Sequence, residues 1–436
     1  MGTGERMGYP QGMNEDLLRR LRQLGVVKGT GRLKPPPPPS RPVPQAELPG
    51  ETVETPYGPC HVVETRYPGD HRHGPTPLRS LLDCPSATLA HLADLPDLAE
   101  VDLSRLLFLD TETTGLAGGT GTIPFLVGLG RFEGGQFVLR QYFLRDPDQE
   151  RAMLHLLSHQ MEQAQALVSF NGRGFDLPIL ETRFLLARRP APFLQRPHLD
   201  LLPLARRLWR IRLPSRALTA LEQDVLGVRR EQADVPGYLI PFLYRDYLRS
   251  GNVAPIRRIL YHNVVDILSM VTLTETLSRF WADPEAAGLA PTDRYSLGRW
   301  YEARGEVEAA ERAYRAALTR ELPAPIRRAV LRHLSFLLKR QDRRSEAVPL
   351  WTQLAELGEA EEEGEGDAVL ACVELAKYYE WHAHDIGAAI TWSRRALRVV
   401  TGWPPGPHRE RVEGELRHRL GRLERKAGER LMVQDL

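Results

Sequence analysis

Residues 106–116 read LLFLDTETTGL, and the fold turns on them. Leu106, Leu107, Phe108 and Leu109 make a short unbroken apolar run, as a buried strand does. The run ends in two acids, Asp110 and Glu112, and residues i and i+2 of a strand point to one face. Two carboxylates then stand side by side at the end of a rigid element, and Thr113, Thr114 and Gly115 let the backbone turn away. Like charges held together are costly unless water or cations neutralise them. Hard divalent ions such as Mg²⁺ and Mn²⁺ take oxygen ligands of this kind. The same residues also read as an exposed acidic strand end before a turn, and this stretch alone leaves both readings open.

Downstream, residues 123–132 and 137–144 read as two more strands, joined at Gly134 and Gly135, a hairpin turn signal. With the acidic strand they make an antiparallel meander. Residues 148–163 then read as a helix, 166–170 as a strand, 175–188 as a helix and 198–202 as a last strand. Helical patterns follow over 218–226, 241–248 and 254–280. A meander followed by alternating strands and helices predicts a ribonuclease-H-like α/β domain, a mixed five-stranded sheet with flanking helices, over 101–285.

The flanks read differently. Residues 1–50 predict a flexible Pro-rich tail, with a short amphipathic helix over 14–24 and a polyproline-II spacer at 35–39. Residues 51–100 predict a small extension, with a strand or hairpin over 52–67 and a short helix over 89–98. Cys60, His61, His71 and His73 cluster there, but their spacing matches no standard zinc pattern. From about 291 the strands vanish. Residues 295–318 carry two helical patterns around Gly305, with small residues at Ala309, Ala313, Ala316 and Ala317. Residues 373–397 repeat the scheme and 329–354 do so loosely, a period in the thirties that resembles tetratricopeptide repeats. A polar capping helix is expected over 409–431, and the all-α region spans 286–436. A generic helical-hairpin bundle is the alternative.

The chain has 436 residues, 42% hydrophobic and 26% charged, with a net charge of +2. That fits a soluble globular protein with two or three domains and no global pull toward polyanions. No apolar run approaches the ~20 residues that span a bilayer. No apolar segment with a cleavage site opens the chain, so the cytoplasm is the expected compartment and no membrane contact is expected. The three cysteines, Cys60, Cys84 and Cys372, are too few for a disulfide framework. The basic residues are almost all arginine, the better fork for phosphate, although compositional bias gives the same picture.

Two more stretches carry acids. In SFNGRGFD, 169–176, a strand ends, Asn171 and Gly172 turn the chain, and Asp176 enters the first turn of a helix, near its positive end. Alone, such an Asp is usually a cap. In YHNVVD, 261–266, His262 and Asp266 share a helix face at i,i+4, with Leu260, Val264, Ile267 and Leu268 available to the buried side.

In that order and spacing the three stretches resemble the motifs of the DEDD superfamily of 3′→5′ exonucleases. DTETTGL matches the first closely, 171–176 the second, and HNVVD is similar to the third. The chain looks most like the bacterial YprB-type family, ribonuclease-H-like proteins that often carry tetratricopeptide repeats, from about residue 55 through the repeats.

The resemblance implies two-metal hydrolysis of phosphodiester bonds in single-stranded RNA or DNA. Asp110, Glu112, Asp176 and Asp266 would hold two Mg²⁺ or Mn²⁺ ions, and the backbone around Thr113 and Leu116 would pack against the terminal nucleotide. Asn171 and Arg173 are candidate phosphate contacts. His198 and Asp200 lie at another strand end, with Asp200 read as structural. The family's third motif places His five residues, or Tyr four residues, before its Asp; here Tyr261 is five before and His262 four before. His262, beside Asp266 on the helix, is the expected general base, and Tyr261 is left to orient water.

The expected function is thus a metal-dependent 3′→5′ exonuclease whose repeats bind a protein partner. Two alternatives stand beside it. One is a nucleic-acid-binding scaffold with a weak or inactive nuclease fold. The other is a structure-selective endonuclease on the same metal site.

Overall fold

One mixed sheet of seven strands carries the acidic stretch in the computed structural model, which describes residues 47–115, 121–230 and 235–434. Strands β1 (Glu51–Thr55) and β2 (Gly58–Pro68) form a hairpin, and β3 (Arg72–His73) and β4 (Thr76–Pro77) a separate minimal one. Then come β5 (Leu106–Thr113), β6 (Pro124–Glu133), β7 (Gln136–Phe143), β8 (Ala166–Ser169) and β9 (His198–Asp200). The strand order is β1-β2-β7-β6-β5-β8-β9. The neighbours from β1 to β5 run antiparallel, and β5, β8 and β9 run parallel.

The expected five strands are therefore present, and the sheet is longer by two. Residues 51–68 do not stand apart as an extension: β2 pairs along the whole of β7, from His61 opposite Phe143 to Pro68 opposite Gln136. An uncovered antiparallel edge is a template for stray pairing, and this hairpin occupies it. The expected tail, including its helix over 14–24 and the proline run, lies outside the described residues.

The helices of this half are α1 (Ser86–Ala93), α2 (Glu150–Glu162), α3 (Asp176–Leu186), α4 (Leu201–Trp209), α5 (Leu218–Asp224), α6 (Ile240–Ser250) and α7 (Ala254–Ala282). The period-2 alternation of β5 sorts its apolar residues between two cores. Leu106 and Phe108 pack with Phe137, Leu139, Ile267 and Val271, while Leu107 and Leu109 pack with Val127, Met153, Leu157 and Leu180. Helix α7 contributes to both, giving Ile256, Ile259 and Leu260 to the second core and Ile267, Met270 and Val271 to the first. Its close approach to the sheet needs glycine on β6. A Cβ added at Gly128 would fall 2.2 Å from the Asn263 side-chain oxygen and 2.5 Å from Ile267 Cδ1.

Helix α4 is where sequence reading fell short, because 198–202 reads as a strand. The strand ends at Asp200, whose side chain accepts from Leu202 N and starts a helix instead.

From Pro291 on, every regular element is a helix: α8 (Pro291–Ala303), α9 (Val307–Leu318), α10 (Ala324–Arg340), α11 (Arg344–Glu359), α12 (Glu365–Trp381), α13 (Ile386–Gly402) and α14 (Pro407–Gln434). Each packs on the next. Small residues set the approach: a Cβ at Gly298 of α8 would meet the Tyr314 ring of α9 at 2.6 Å. Among the described residues, no helix is long and apolar enough to cross a membrane.

Candidate functional site

The site lies where β5 ends, beside the start of α3 and the middle of α7. Asp110 and Glu112 follow the apolar half of β5 and face α7. Asn263 of α7, fully buried, donates its side-chain amide to Asp110 Oδ2 at 2.7 Å. Asn263 is fixed in turn by Gln141 of β7, whose Nε2 donates to its Oδ1 and to the Leu260 carbonyl, each at 2.8 Å. This chain aims Asp110, and neither Gln141 nor Asn263 stood out in the sequence.

Asp176 arrives from the other side, as the first residue of α3. It is buried, and the Thr111 hydroxyl donates to its Oδ1 at 2.5 Å. Burial is the largest influence on its carboxyl, pushing it up to about 6 against the pull of those hydrogen bonds. Burial also holds the Asp110 carboxyl well above the usual carboxylate range, and after it the neighbouring charges of Asp266 and Asp176. Asp110 on the strand thus feels acids from two other elements.

Asp266 is held by a cation. Arg230, 8% exposed at its side chain, donates from Nη2 to Asp266 Oδ1 at 2.5 Å. The same guanidinium grips Glu222 of α5 through two bonds of 2.8 Å and donates from Nη1 to His262 Nδ1 at 2.9 Å. Glu222 also accepts from Ser269, whose hydroxyl bonds His73 Nε2. The only sequence signal for this network is an unremarkable Glu and Arg eight residues apart.

The contact from Arg230 fixes the His262 tautomer. Guanidinium nitrogens only donate, so Nδ1 carries the lone pair and Nε2 carries the proton. That proton faces Asp266 Oδ2 at 3.3 Å and Glu112 Oε1 at 3.7 Å. The expected base therefore has no lone pair open on this side while Arg230 stays in place. Tyr261, five residues before Asp266, lies beside Tyr67, whose hydroxyl is pushed up by burial and by this neighbour.

Thr113 is buried and its hydroxyl donates to the Gly115 carbonyl at 2.6 Å, so it offers only backbone. Leu116 lies outside the described residues. Asn171 takes a left-handed φ of +68°, and its side chain and that of Arg173 are exposed at the rim. Asp200 is structural: its carboxylate accepts from the Asn171 and Arg173 backbone amides at 2.8 and 3.1 Å and caps α4. His198 bonds the Ser169 hydroxyl at 2.7 Å, and burial lowers it to about 4.

The four residues Cys60, His61, His71 and His73 do not form a centre. His61 Nε2 bonds the Pro49 carbonyl, His73 points to Ser269, and burial pushes the Cys60 thiol up to about 12.

All-oxygen carboxylate donors on three rigid elements suit hard divalent cations. The arrangement, however, is answered from within. Asp110 is taken by Asn263, Asp176 by Thr111 and Asp266 by Arg230. Among the described residues, no three His, Cys, Asp or Glu side chains group as a metal ion would need. The residue types are those such ions take, and Asp266 is at present paired with Arg230.

Residues 107–278 match the RNase_H_2 family, described as the RNase_H superfamily. The chain is also similar to YprB of Bacillus subtilis (strain 168), an uncharacterized protein. The two are 30% identical over 371 residues, 84% of this chain and 86% of YprB.

Proposed function

Because the chain belongs to the YprB family and carries a ribonuclease-H superfamily domain, we propose that it is a metal-dependent nuclease. Its finer activity, on this reading, is 3′→5′ exonucleolytic cleavage of single-stranded RNA or DNA. The observation that carries the reading is the gathering of Asp110, Asp176 and Asp266 from three separate elements, with the Asp110 carboxyl raised by burial and then by the charges of the other two. A fold keeps such a cluster at a cost in stability, and a cationic ligand offsets that cost.

Asp110, Glu112, Asp176 and Asp266 would hold two Mg²⁺ or Mn²⁺ ions. Bound there, the ions supply an activated water and charge neutralisation at the scissile phosphate. The chain's own residues do the rest. Asn263 and Thr111 orient the carboxylates by neutral hydrogen bonds, which leave their charge available. Asn171 and Arg173, on a loop braced by Asp200, would contact a phosphate through their exposed side chains. His262 takes a proton at Nδ1 once Arg230 withdraws. The nuclease domain is taken as 101–285 and the helices of 286–436 as a tetratricopeptide-like platform for a protein partner, in the cytoplasm.

One observation favours a second reading. Asp266 is paired with Arg230, and among the described residues no three acids group as a metal ion would need, as in a scaffold that binds nucleic acid without cutting it. The deciding experiment incubates the protein with 3′- and 5′-labelled single-stranded RNA and DNA in Mn²⁺, Mg²⁺ or EDTA. A ladder of mononucleotide steps from the 3′ end is the expected result. Internal cuts mean an endonuclease, and binding without cleavage means the scaffold.

A further inference from the structure

Helix α4 joins the acidic site to a second charged feature. Its first end is Asp200, which braces the loop before Asp176. Its other end opens into a cavity of about 650 Å³ between α4 and α8. Arg206, Arg207, Arg210, Arg216, Arg299 and Arg304 line it, with Asp94 the one acid on its wall.

Little of this charge is answered. Among the described residues, neither Arg206 nor Arg210 makes an ion pair or hydrogen bond, and both are exposed. Arg207 lies over the Trp300 ring at 5.3 Å and Arg299 over Tyr295 at 5.9 Å, contacts that hold the guanidinium without neutralising it. Arg216 Nη1 rests on the Leu213 and Pro214 carbonyls. Arg304 alone meets acids, Glu306 at 2.8 Å and Asp94 at 3.7 Å. The nearby Asp293 is spent on Arg212. Like charges gathered in a concavity repel one another and raise the local concentration of anions.

We propose that this cavity binds the phosphate backbone of a single-stranded nucleic acid. Planar guanidinium forks grip phosphate oxygens in pairs, and the strand is read by charge rather than by base. Arg206 lies about 9 Å along the helix axis from Asp200, the length of about three stacked nucleotides. A strand lying along α4 thus reaches the acidic site with its end while its body sits on the arginines. That direction of the strand rests on the nuclease reading; the binding itself does not.

The test uses the full chain in EDTA, with a labelled single-stranded oligonucleotide of about 16 nucleotides, the upper range of common single-strand sites. Arg206→Ala, Arg210→Ala and Arg299→Ala are combined, since all three side chains are exposed and their removal leaves the core intact. The triple variant is expected to melt as the parent does and to bind about tenfold or more weakly. The slope of log affinity against log salt should become shallower by about 2, near 0.7 per lost phosphate contact. If the triple variant melts early, Arg206→Ala alone should shift the slope by about 0.7. A folded variant with unchanged affinity and slope overturns the proposal. So does polyglutamate binding more tightly than the oligonucleotide, which would mark a site for an acidic protein. A parent that binds through these arginines yet cuts nothing ends the nuclease reading and leaves this site standing.

Discussion

Asp110 and Asp266 stand on opposite sides of one acidic site and are held by opposite chemistry. Asp110 is met by a neutral amide, Asn263, so its charge is oriented but not cancelled. Asp176 beside it is met by a neutral hydroxyl. Asp266 is met by a guanidinium that also serves Glu222. The strand side therefore still calls for a cation, and the helix side already has one. A divalent ion held by Asp110 and Asp266 together would have to displace Arg230 or share Asp266 with it. On the proposed chemistry, Arg230 would be an internal competitor of the metal.

The largest effect should come from the strand side. Asp110→Asn keeps the shape and the Asn263 neighbour but removes the charge. It is expected to lower Mn²⁺-dependent hydrolysis by about a thousandfold, the loss of several kcal/mol of transition-state stabilisation, with oligonucleotide binding in EDTA retained. Hydrolysis within a few-fold of the parent would remove Asp110 from the chemistry.

Next comes a pH effect in metal-free protein. The Asp176 carboxyl is pushed from 3.8 up to about 6 in the folded chain, chiefly by burial. The folded state then holds this proton to higher pH than the unfolded state. Its contribution favours folding fully below the unfolded value and is lost as pH rises from about 4 to about 6. The loss is at most about 3 kcal/mol at 1.36 kcal/mol per unit. Denaturant unfolding in EDTA should show this decline, and Asp176→Asn should make it shallower, the remainder belonging to Asp110, Glu222 and Asp293, whose carboxyls burial also raises. An equal decline in both proteins would assign it to another group.

The strand side was legible in the sequence because its rules are local. An apolar run fixes β5, the period of two puts Asp110 and Glu112 on one face, and the Asn–Gly turn marks the start of α3. His262 and Asp266 followed from the helical period. The helix side was not legible in the same way. Arg230 reaches Asp266 across 36 residues and Glu222 across eight, with no periodic signal to pair them. Asn263 stood inside the third motif with no role read for it. Its role depends on Gln141, 122 residues away. The docking of β1 and β2 on the β7 edge is equally nonlocal. Helix α4 was missed because Asp200 ends a strand and caps a helix in the same residue.

Gly128 tests how tightly α7 must hold Asn263 over Asp110. Gly128→Ala places a methyl group against the Asn263 amide and Ile267 Cδ1, so those side chains or α7 itself must shift. Overpacking of this kind costs about 2 kcal/mol. A lower urea midpoint, with a drop in hydrolysis larger than that of a surface control, is the expected outcome. Wild-type stability would mean that α7 yields freely and that the aim of Asp110 is not set by packing.

The smallest effect is the most direct probe of the comparison. Arg230→Gln alone would strand Glu222, 1% exposed, as a buried unpaired charge, at about 3–5 kcal/mol. Glu222→Gln with Arg230→Gln removes both partners, so the core keeps hydrogen-bonding groups without an orphaned ion. Asp266 then has no guanidinium on it, and the His262 Nδ1 lone pair is no longer engaged by Arg230. If Arg230 competes with the metal, calorimetric titration should show Mn²⁺ binding about tenfold more tightly, or about 1.4 kcal/mol. Weaker binding would mean the reverse, that Arg230 is what holds Asp266 and His262 in position. The cation on the helix side would then be part of the site's frame, and the two sides would differ in partner but not in readiness.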